Sequence, residues 1–249
     1  MSISSLSKII KYASCVCTKP YTLKYAGTED IIRPVEGCYI RTSMWYADKC
    51  LCCGQCCRNY NTIFSDKEYQ HLCTLDTPGH KEYVALQKDC ILEVNGVPHV
   101  YHEVPHMTSK DSHGIYTNKH TDLNCRWVTL KDGLKLCRIH TYRTITCGFP
   151  HMEFRQSTSS PTSSLFHIQF GRNHQLGCKV DIKAEPYNQE TKDDDLYWLH
   201  RLHEFTSEYG IETILPAIIE CVENVDLNNL PKQDIFIPAH PARRLFQIS

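Results

Sequence analysis

Two things are scarce in this sequence: long hydrophobic runs and net charge. No stretch approaches the ~18 consecutive apolar residues that a membrane-spanning helix needs, so no membrane association of that kind is expected. Because 27 basic residues are balanced by 28 acidic ones, no overall field attracts nucleic acid, and no nucleic-acid partner is expected.

Common catalytic signatures are missing as well. The sequence contains no G-x-S-x-G, no G-x-x-x-x-G-K-[ST] and no G-x-G-x-x-G. Hydrolase, nucleotide-hydrolase and dinucleotide-dependent oxidoreductase functions therefore have no local support.

Targeting signals are equally weak. Lys8 and Lys11 flank the short apolar pair Ile9–Ile10, so residues 1–19 lack the longer apolar core of a secretory signal. Residues 1–28 carry lysines and no acid but also no arginine, so an organelle presequence is not favoured. A cytoplasmic, reducing compartment is therefore expected.

What the sequence has in excess is cysteine, with 15 among 249 residues. The odd number excludes complete disulfide pairing within one chain. Five cysteines fall within residues 50–57, where disulfides would close very short loops and add little stability. Metal-bound thiolates explain this crowding better than a disulfide scaffold does.

The first cysteine block reads C-x-x-C-x-x-C-C, with Cys52 as an additional thiol and Gly54 inside the run. Spacing by three lets a tight turn present successive sulfurs to one centre, and glycine permits the left-handed backbone of such turns. The run resembles that of cluster-binding ferredoxins more than the knuckle of a zinc finger. Its predicted ligands are Cys50, Cys53, Cys56 and Cys57.

A second set of metal-binding residues follows between residues 125 and 178. Its predicted ligands are Cys125, Cys137, Cys147 and Cys178, with His140 as a ligand or as a hydrogen-bond donor to a sulfur. Four thiols in each set suffice for two tetrathiolate centres, or for one centre and a redox-active or stabilising set.

Together the two motifs resemble the YkgJ-like cysteine-cluster family of zinc- or iron-chelating domains. The resemblance covers about residues 45–180. Thr144 stands where that family usually has proline, and Gly148 stands where it often has arginine. The positions that match its second motif are Cys137, Ile139, His140, Arg143, Cys147, Phe149 and Pro150.

The resemblance implies metal chelation, with one or two iron–sulfur clusters of the [4Fe–4S] type as the preferred occupant. The alternative is a structural zinc module that acts as a partner-binding scaffold. Flagellin lysine methylases carry a similar cysteine block, which by analogy suggests a modification enzyme. Its substrate, an unknown protein, peptide or small molecule, would bind between the metal core and the C-terminal helices.

Two turn motifs predict β-hairpins. Asn95-Gly96 and Asp132-Gly133 each separate two β-prone runs, and both dipeptides favour tight hairpin turns. The second hairpin lies between Cys125 and Cys137, so it is expected to bring these two thiols close together. His99 and His102 lie three apart on a predicted strand and so on opposite faces, which favours a polar strand over a metal site.

Helical patterns lie on either side of these hairpins. Ser65 and Glu68 form a capping-box pattern, which predicts a helix over 66–73. Three acids at 193–195 precede an apolar stripe and predict the start of a longer helix that ends near Gly210. A last helix is expected over 212–224.

These elements predict an α+β fold: a small irregular metal-cluster core with short β-hairpins, followed by C-terminal helices. Three segments are expected. Residues 1–44 form an N-terminal extension packed on the core, residues 45–182 form the cysteine-cluster metal-binding domain, and residues 183–249 form a C-terminal helical segment and tail.

Overall fold

The fold of this chain is α+β, as predicted. A computed structural model describes residues 10, 17–47, 52, 54, 62–75, 88–104, 127–148, 152–156, 165–170, 185–239 and 246–247. Within these residues two five-stranded sheets and two short ladders combine with helices. The sequence also predicts a short amphipathic helix over residues 4–13, and apart from Ile10 these positions lie outside the described residues.

The strands are β1 (Tyr21–Tyr25), β2 (Thr28–Ile32), β3 (Gly37–Ile40), β4 (Tyr46–Ala47), β5 (Thr62–Ser65), β6 (Lys88–Val94), β7 (Val97–Val104), β8 (Val128–Lys131), β9 (Leu134–Cys137), β10 (Met152–Gln156), β11 (Leu165–Phe170), β12 (Glu185–Pro186), β13 (Ile235–Pro238) and β14 (Phe246–Gln247). The α-helices are α1 (Asp66–Thr74), α2 (Ile145–Gly148), α3 (Gln189–Glu208) and α4 (Leu215–Glu223), and 3₁₀ turns cover Thr42–Met44 and His140–Tyr142.

The first sheet has the strand order β2-β1-β6-β7-β5 and is antiparallel throughout. Its β6–β7 hairpin turns at Asn95 and Gly96, whose φ angles of 50° and 80° confirm the predicted tight turn. The β8–β9 hairpin repeats this geometry at Asp132 and Gly133, with φ angles of 51° and 77°.

The second sheet has the order β10-β11-β3-β13-β14 and is mixed, because β11 runs parallel to β3 while the other pairs are antiparallel. Strand β3 comes from the predicted N-terminal segment, β11 from the cysteine-cluster segment and β13 from the C-terminal segment. All three segments therefore share one hydrogen-bonded sheet.

Two hydrophobic cores form among the described residues. The larger core joins both sheets to α3 and α4, with Ile40, Ile168 and Trp198 at most 1% exposed. The smaller core lies between α1, β5 and the ends of the β8–β9 hairpin. It consists of Phe64, Tyr69, Leu72, Trp127 and Ile139.

The two histidines of β7 lie on opposite faces of the sheet, as strand geometry predicted. His102 is buried, with its Nε2 2.9 Å from an Asp66 carboxylate oxygen and its Nδ1 3.1 Å from Asp89, and it stacks on Tyr69. His99 instead meets the ring of Tyr209 edge-on, on the side of α3. These contacts attach α1 and the end of α3 to the first sheet.

Helix α3 begins earlier than the sequence indicated. Asn188 caps it through a hydrogen bond from the Thr191 N–H to Asn188 Oδ1 (3.0 Å), so the acids at 193–195 do not form its first turn. Asp195 is instead 4% exposed and accepts a hydrogen bond from the Tyr187 hydroxyl at 2.6 Å. The expected helix start at 193–195 was therefore wrong, because a buried hydroxyl partner and an asparagine cap outweigh the charge pattern.

The β1–β2 hairpin was not predicted, since residues 20–48 showed no regular pattern. Ala26 and Gly27 form its turn with φ angles of 48° and 82°. The alternation of Tyr21, Leu23 and Tyr25 with polar residues was the available signal, and the structure buries Tyr21 and Leu23.

No helix among the described residues is long and apolar enough to cross a membrane.

Candidate functional site

The nine predicted ligands divide into those the structure describes and those it does not. Cys137, Cys147 and His140 are described. Two further residues of the first cysteine block, Cys52 and Gly54, are described as well. The remaining predicted ligands, Cys50, Cys53, Cys56, Cys57, Cys125 and Cys178, lie outside the described residues.

Cys52 and Gly54 of the first cysteine block lie against the β8–β9 hairpin. The Lys135 N–H donates a hydrogen bond to the Cys52 carbonyl, with an N···O distance of 2.9 Å. The Lys135 side chain also fills the space beside Gly54, where an added Cβ would lie 3.1 Å from Lys135 Cβ and overlap its Cδ. Cys52 and Gly54 have φ angles of 49° and 70°, the left-handed backbone expected of a tight turn.

Cys137 lies two residues beyond Lys135, at the end of β9. It is opposite Val128 in the ladder, half-buried, and packed against the smaller core. One predicted ligand of the second set is thus within two residues of the contact with the first set. Whether the hairpin also brings Cys125 to Cys137 stays a prediction, because Cys125 lies outside the described residues.

Cys147 is held on α2, a single helical turn that Thr144 anchors. The Thr144 carbonyl accepts hydrogen bonds from the N–H groups of Cys147 (2.8 Å) and Gly148 (3.0 Å). Its hydroxyl is buried and donates to the Ile63 carbonyl on β5 at 2.5 Å. Proline at this position would have no hydroxyl and could not make the bond to β5.

Gly148 is required by the helix that packs on the same turn. A Cβ at position 148 would overlap the indole of Trp198, which is 1% exposed in the middle of α3. Arginine at position 148 would therefore displace Trp198. Helix α3 is thereby packed directly onto the residue that follows Cys147.

Glu68 joins the helices around this turn. One of its carboxylate oxygens accepts hydrogen bonds from the Ile145 N–H (3.0 Å) and from Arg201 Nη2 (2.6 Å). The other accepts from the Ser65 N–H at 3.1 Å, completing the predicted capping box of α1. Glu68 therefore caps α1 and the first residue of α2 at once, and holds α3 through Arg201.

Sequence patterns identified Glu68 only as a helix cap. Its further partners Ile145 and Arg201 lie 77 and 133 residues away along the chain, and no local motif links them. In the sequence, the capping box of α1 already explains Glu68, so nothing there indicates that its carboxylate has further partners. This part of the site is visible only in the fold.

His140 opens the 3₁₀ turn that follows the hairpin, and its side chain is exposed. Its carbonyl accepts a hydrogen bond from Arg143 Nε at 3.0 Å. The Arg143 guanidinium carbon lies 5.2 Å from the centre of the Trp198 ring, a cation–π contact. Arg143 thus attaches the segment between His140 and Cys147 to α3.

A pocket of about 510 Å³ lies beside this region, between α1 and α3. Lys67, Glu68 and His71 of α1 form one wall. Tyr142 of the 3₁₀ turn forms another. The α3 wall presents Tyr197, Arg201, Glu204 and Glu208.

Cys17, Cys38, Cys90 and Cys221 are buried in the larger core. Burial raises the pKa of the thiols of Cys17, Cys90 and Cys221 to about 11. A thiol with a raised pKa stays protonated near neutrality and is a poor metal ligand and nucleophile. These residues contrast with Cys137 and Cys147, which are half-buried.

Within the described ranges, no three or more histidine, cysteine, aspartate or glutamate side chains converge as a metal-binding group. Most of the predicted thiol ligands lie outside those ranges. No protein-family model matches the chain, and no curated protein or solved structure matches it.

Proposed function

We propose that this chain is a cysteine-cluster metalloprotein that carries one or two iron–sulfur centres. The observation that carries the proposal is the hydrogen bond between the Lys135 N–H and the Cys52 carbonyl. It joins the C-x-x-C-x-x-C-C block to the strand that ends in Cys137. A residue inside the first cysteine block and a residue two positions before Cys137 therefore meet, although more than 80 residues separate them.

The chemistry of the donors fits this class of centre. Eight thiols with one imidazole form a soft donor set of the kind that iron–sulfur clusters and zinc select. The thiols on the β8–β9 hairpin and on α2 are half-buried, whereas Cys17, Cys38, Cys90 and Cys221 are buried in the larger core. Iron–sulfur is preferred because two successive C-x-x-C spacings, as between Cys50, Cys53 and Cys56, are typical of ferredoxin-like runs.

The protein's own residues would orient the centre. Thr144 and Glu68 fix the start of the turn that bears Cys147, and the Lys135 N–H bonds the Cys52 carbonyl of the first block. A bound cluster would supply one-electron transfer or an open iron for a substrate. Glu68 and Thr144 are positioning residues in this proposal, since they act through the backbone around Cys147.

The pocket supports a modification-enzyme role over a purely structural one. It lies between α1, which follows the first cysteine block, and α3 of the C-terminal segment. A substrate was expected between the metal core and the C-terminal helices; the pocket adjoins those helices through α3, and cysteines are not among its lining residues in the described part of the chain. The alternative of a structural zinc module does not require such a pocket.

Metal analysis of anaerobically purified protein tests the proposal. We expect brown protein that contains iron and acid-labile sulfide. Colourless protein with stoichiometric zinc would overturn the iron–sulfur assignment in favour of the zinc module. Protein with neither metal would overturn both.

Replacing Cys53 by serine should remove most of the bound metal, because a hydroxyl is a poor ligand for thiophilic metals. Cys221→Ser is the matched control. Cys221 is buried on α4 with a raised pKa, so its replacement should leave the metal content unchanged. For each variant the metal content is measured per folded chain, and circular dichroism checks that the variant has folded. Equal metal content in the two variants would contradict the ligand assignment.

A further inference from the structure

Charged and aromatic side chains line the pocket between α1 and α3. On α3 its wall is built from Tyr197, Arg201, Glu204 and Glu208, at helical spacings of four, three and four. Such residues share one side of a helix. Its volume of about 510 Å³ falls in the range of small-molecule sites.

Carboxylates outnumber cations around the pocket. Three glutamates, at 68, 204 and 208, face two cations, Lys67 and Arg201. Arg201 is already committed to Glu68 at 2.6 Å. The Lys67 side chain is 73% exposed, and its Nζ lies 3.7 Å from Glu208, so this pair is weak.

Glu208 lies close to other carboxylates of this region. Its side chain is 22% exposed, and burial raises the pKa of its carboxyl group. The nearby carboxylates of Glu68 and Asp66 raise it further, while Lys67 opposes them. A positive group placed here would relieve the repulsion among these carboxylates.

Two aromatic side chains complete the pocket. Tyr142 and Tyr197 line it and remain 44% and 43% exposed. Exposed tyrosine rings beside carboxylates attract cations through the ring face and pack along alkyl chains. A site for phosphate or carboxylate would present unpaired arginine or lysine side chains, whereas this pocket presents tyrosine rings and glutamate carboxylates.

We propose that this pocket binds an organic cation, an ammonium or guanidinium group on a short alkyl chain. The charge would lie beside Glu204 and Glu208, and the alkyl chain would lie against Tyr142 and Tyr197. This binding does not depend on the metal centre. The cation could belong to a free amine or to a basic side chain of a peptide.

Calorimetric titration of the full chain tests the proposal. The probes are 1,5-diaminopentane, agmatine and a short neutral peptide with a single lysine, and the uncharged comparison is 1,5-pentanediol. We expect saturable binding of at least one cation and none of the diol. Tighter binding of the free amines than of the peptide would identify a small-molecule site, and the reverse would identify a side-chain site. Equal binding of cation and diol, or no binding of any cation, would overturn the proposal.

Glu208→Gln should weaken cation binding about tenfold or more, because it removes a charge at constant shape. Glu204→Gln, at an exposed position, is the second variant in case the first is unstable. Glu220→Gln, on the exposed side of α4 and outside the pocket lining, is the matched control and should bind like the parent. Equal affinity in all three variants would contradict the assignment. Metal content measured on the same samples separates this result from the test of the metal centre.

Discussion

Glu68→Ala is expected to lower the free energy of unfolding by about 3 kcal/mol or more. The substitution removes the acceptor of Arg201 Nη2 and of the Ile145 N–H, and it breaks the capping box with Ser65. Glu68 is 12% exposed and Arg201 29% exposed, so water replaces these bonds only in part. Deleting one member of a largely buried ion pair leaves the partner charge poorly solvated, which is the costly case.

Denaturant unfolding of the two variants Glu68→Ala and Glu204→Ala measures this effect. Glu204 lies on the same pocket and is exposed, so its truncation should cost less than about 0.5 kcal/mol. Arg201→Ala combined with Glu68→Ala should cost less than the sum of the single changes, since both remove the same ion pair. If Glu68→Ala and Glu204→Ala were equally stable, Glu68 would not be the junction described above.

Trp198→Ala is expected to destabilise the protein by about 3–5 kcal/mol. Trp198 is 1% exposed in the larger core, and its truncation leaves a large cavity between α3 and α2. Tyr197→Ala, at the neighbouring exposed position, should cost less than about 1 kcal/mol. Thermal or denaturant unfolding distinguishes the two.

The same contact predicts an unusual interaction between two substitutions. Gly148→Ala alone should cost about 1–3 kcal/mol, because the new Cβ overlaps the rigid indole. In the Trp198→Ala background the same change should cost almost nothing, since the cavity accepts the methyl group. Additive costs in the double variant would mean that Gly148 is needed for another reason.

Local chemistry predicted the elements whose determinants lie within a few residues. Both tight hairpins and the capping box at Ser65 were read correctly, because turn residues and caps act over short distances. The start of α3 was misplaced because Asp195 is stabilised by Tyr187, whose burial depends on the whole fold. The parallel pairing of β11 with β3 joins residues more than 120 positions apart and has no local signal.

The candidate site divides in the same way. Cysteine spacing identified the ligand candidates, and the fold then located the tight turn of the first block beside the strand that ends in Cys137. Glu68 and Arg201 could not be assigned to this region from sequence, since their partners are distant along the chain. The pocket likewise depends on how α1 and α3 lie together, which no spacing within either helix reveals.

The position of β3 has a consequence for synthesis on the ribosome. This strand, at residues 37–40, is flanked by β11 and by β13, which spans residues 235–238. One of its edges stays open until residues 165–170 emerge, and the other until almost the whole chain has been made. An open strand edge is a site for pairing with other chains. The nascent protein should therefore depend on chaperone protection for most of its translation, and a chain that stops before residue 235 should aggregate.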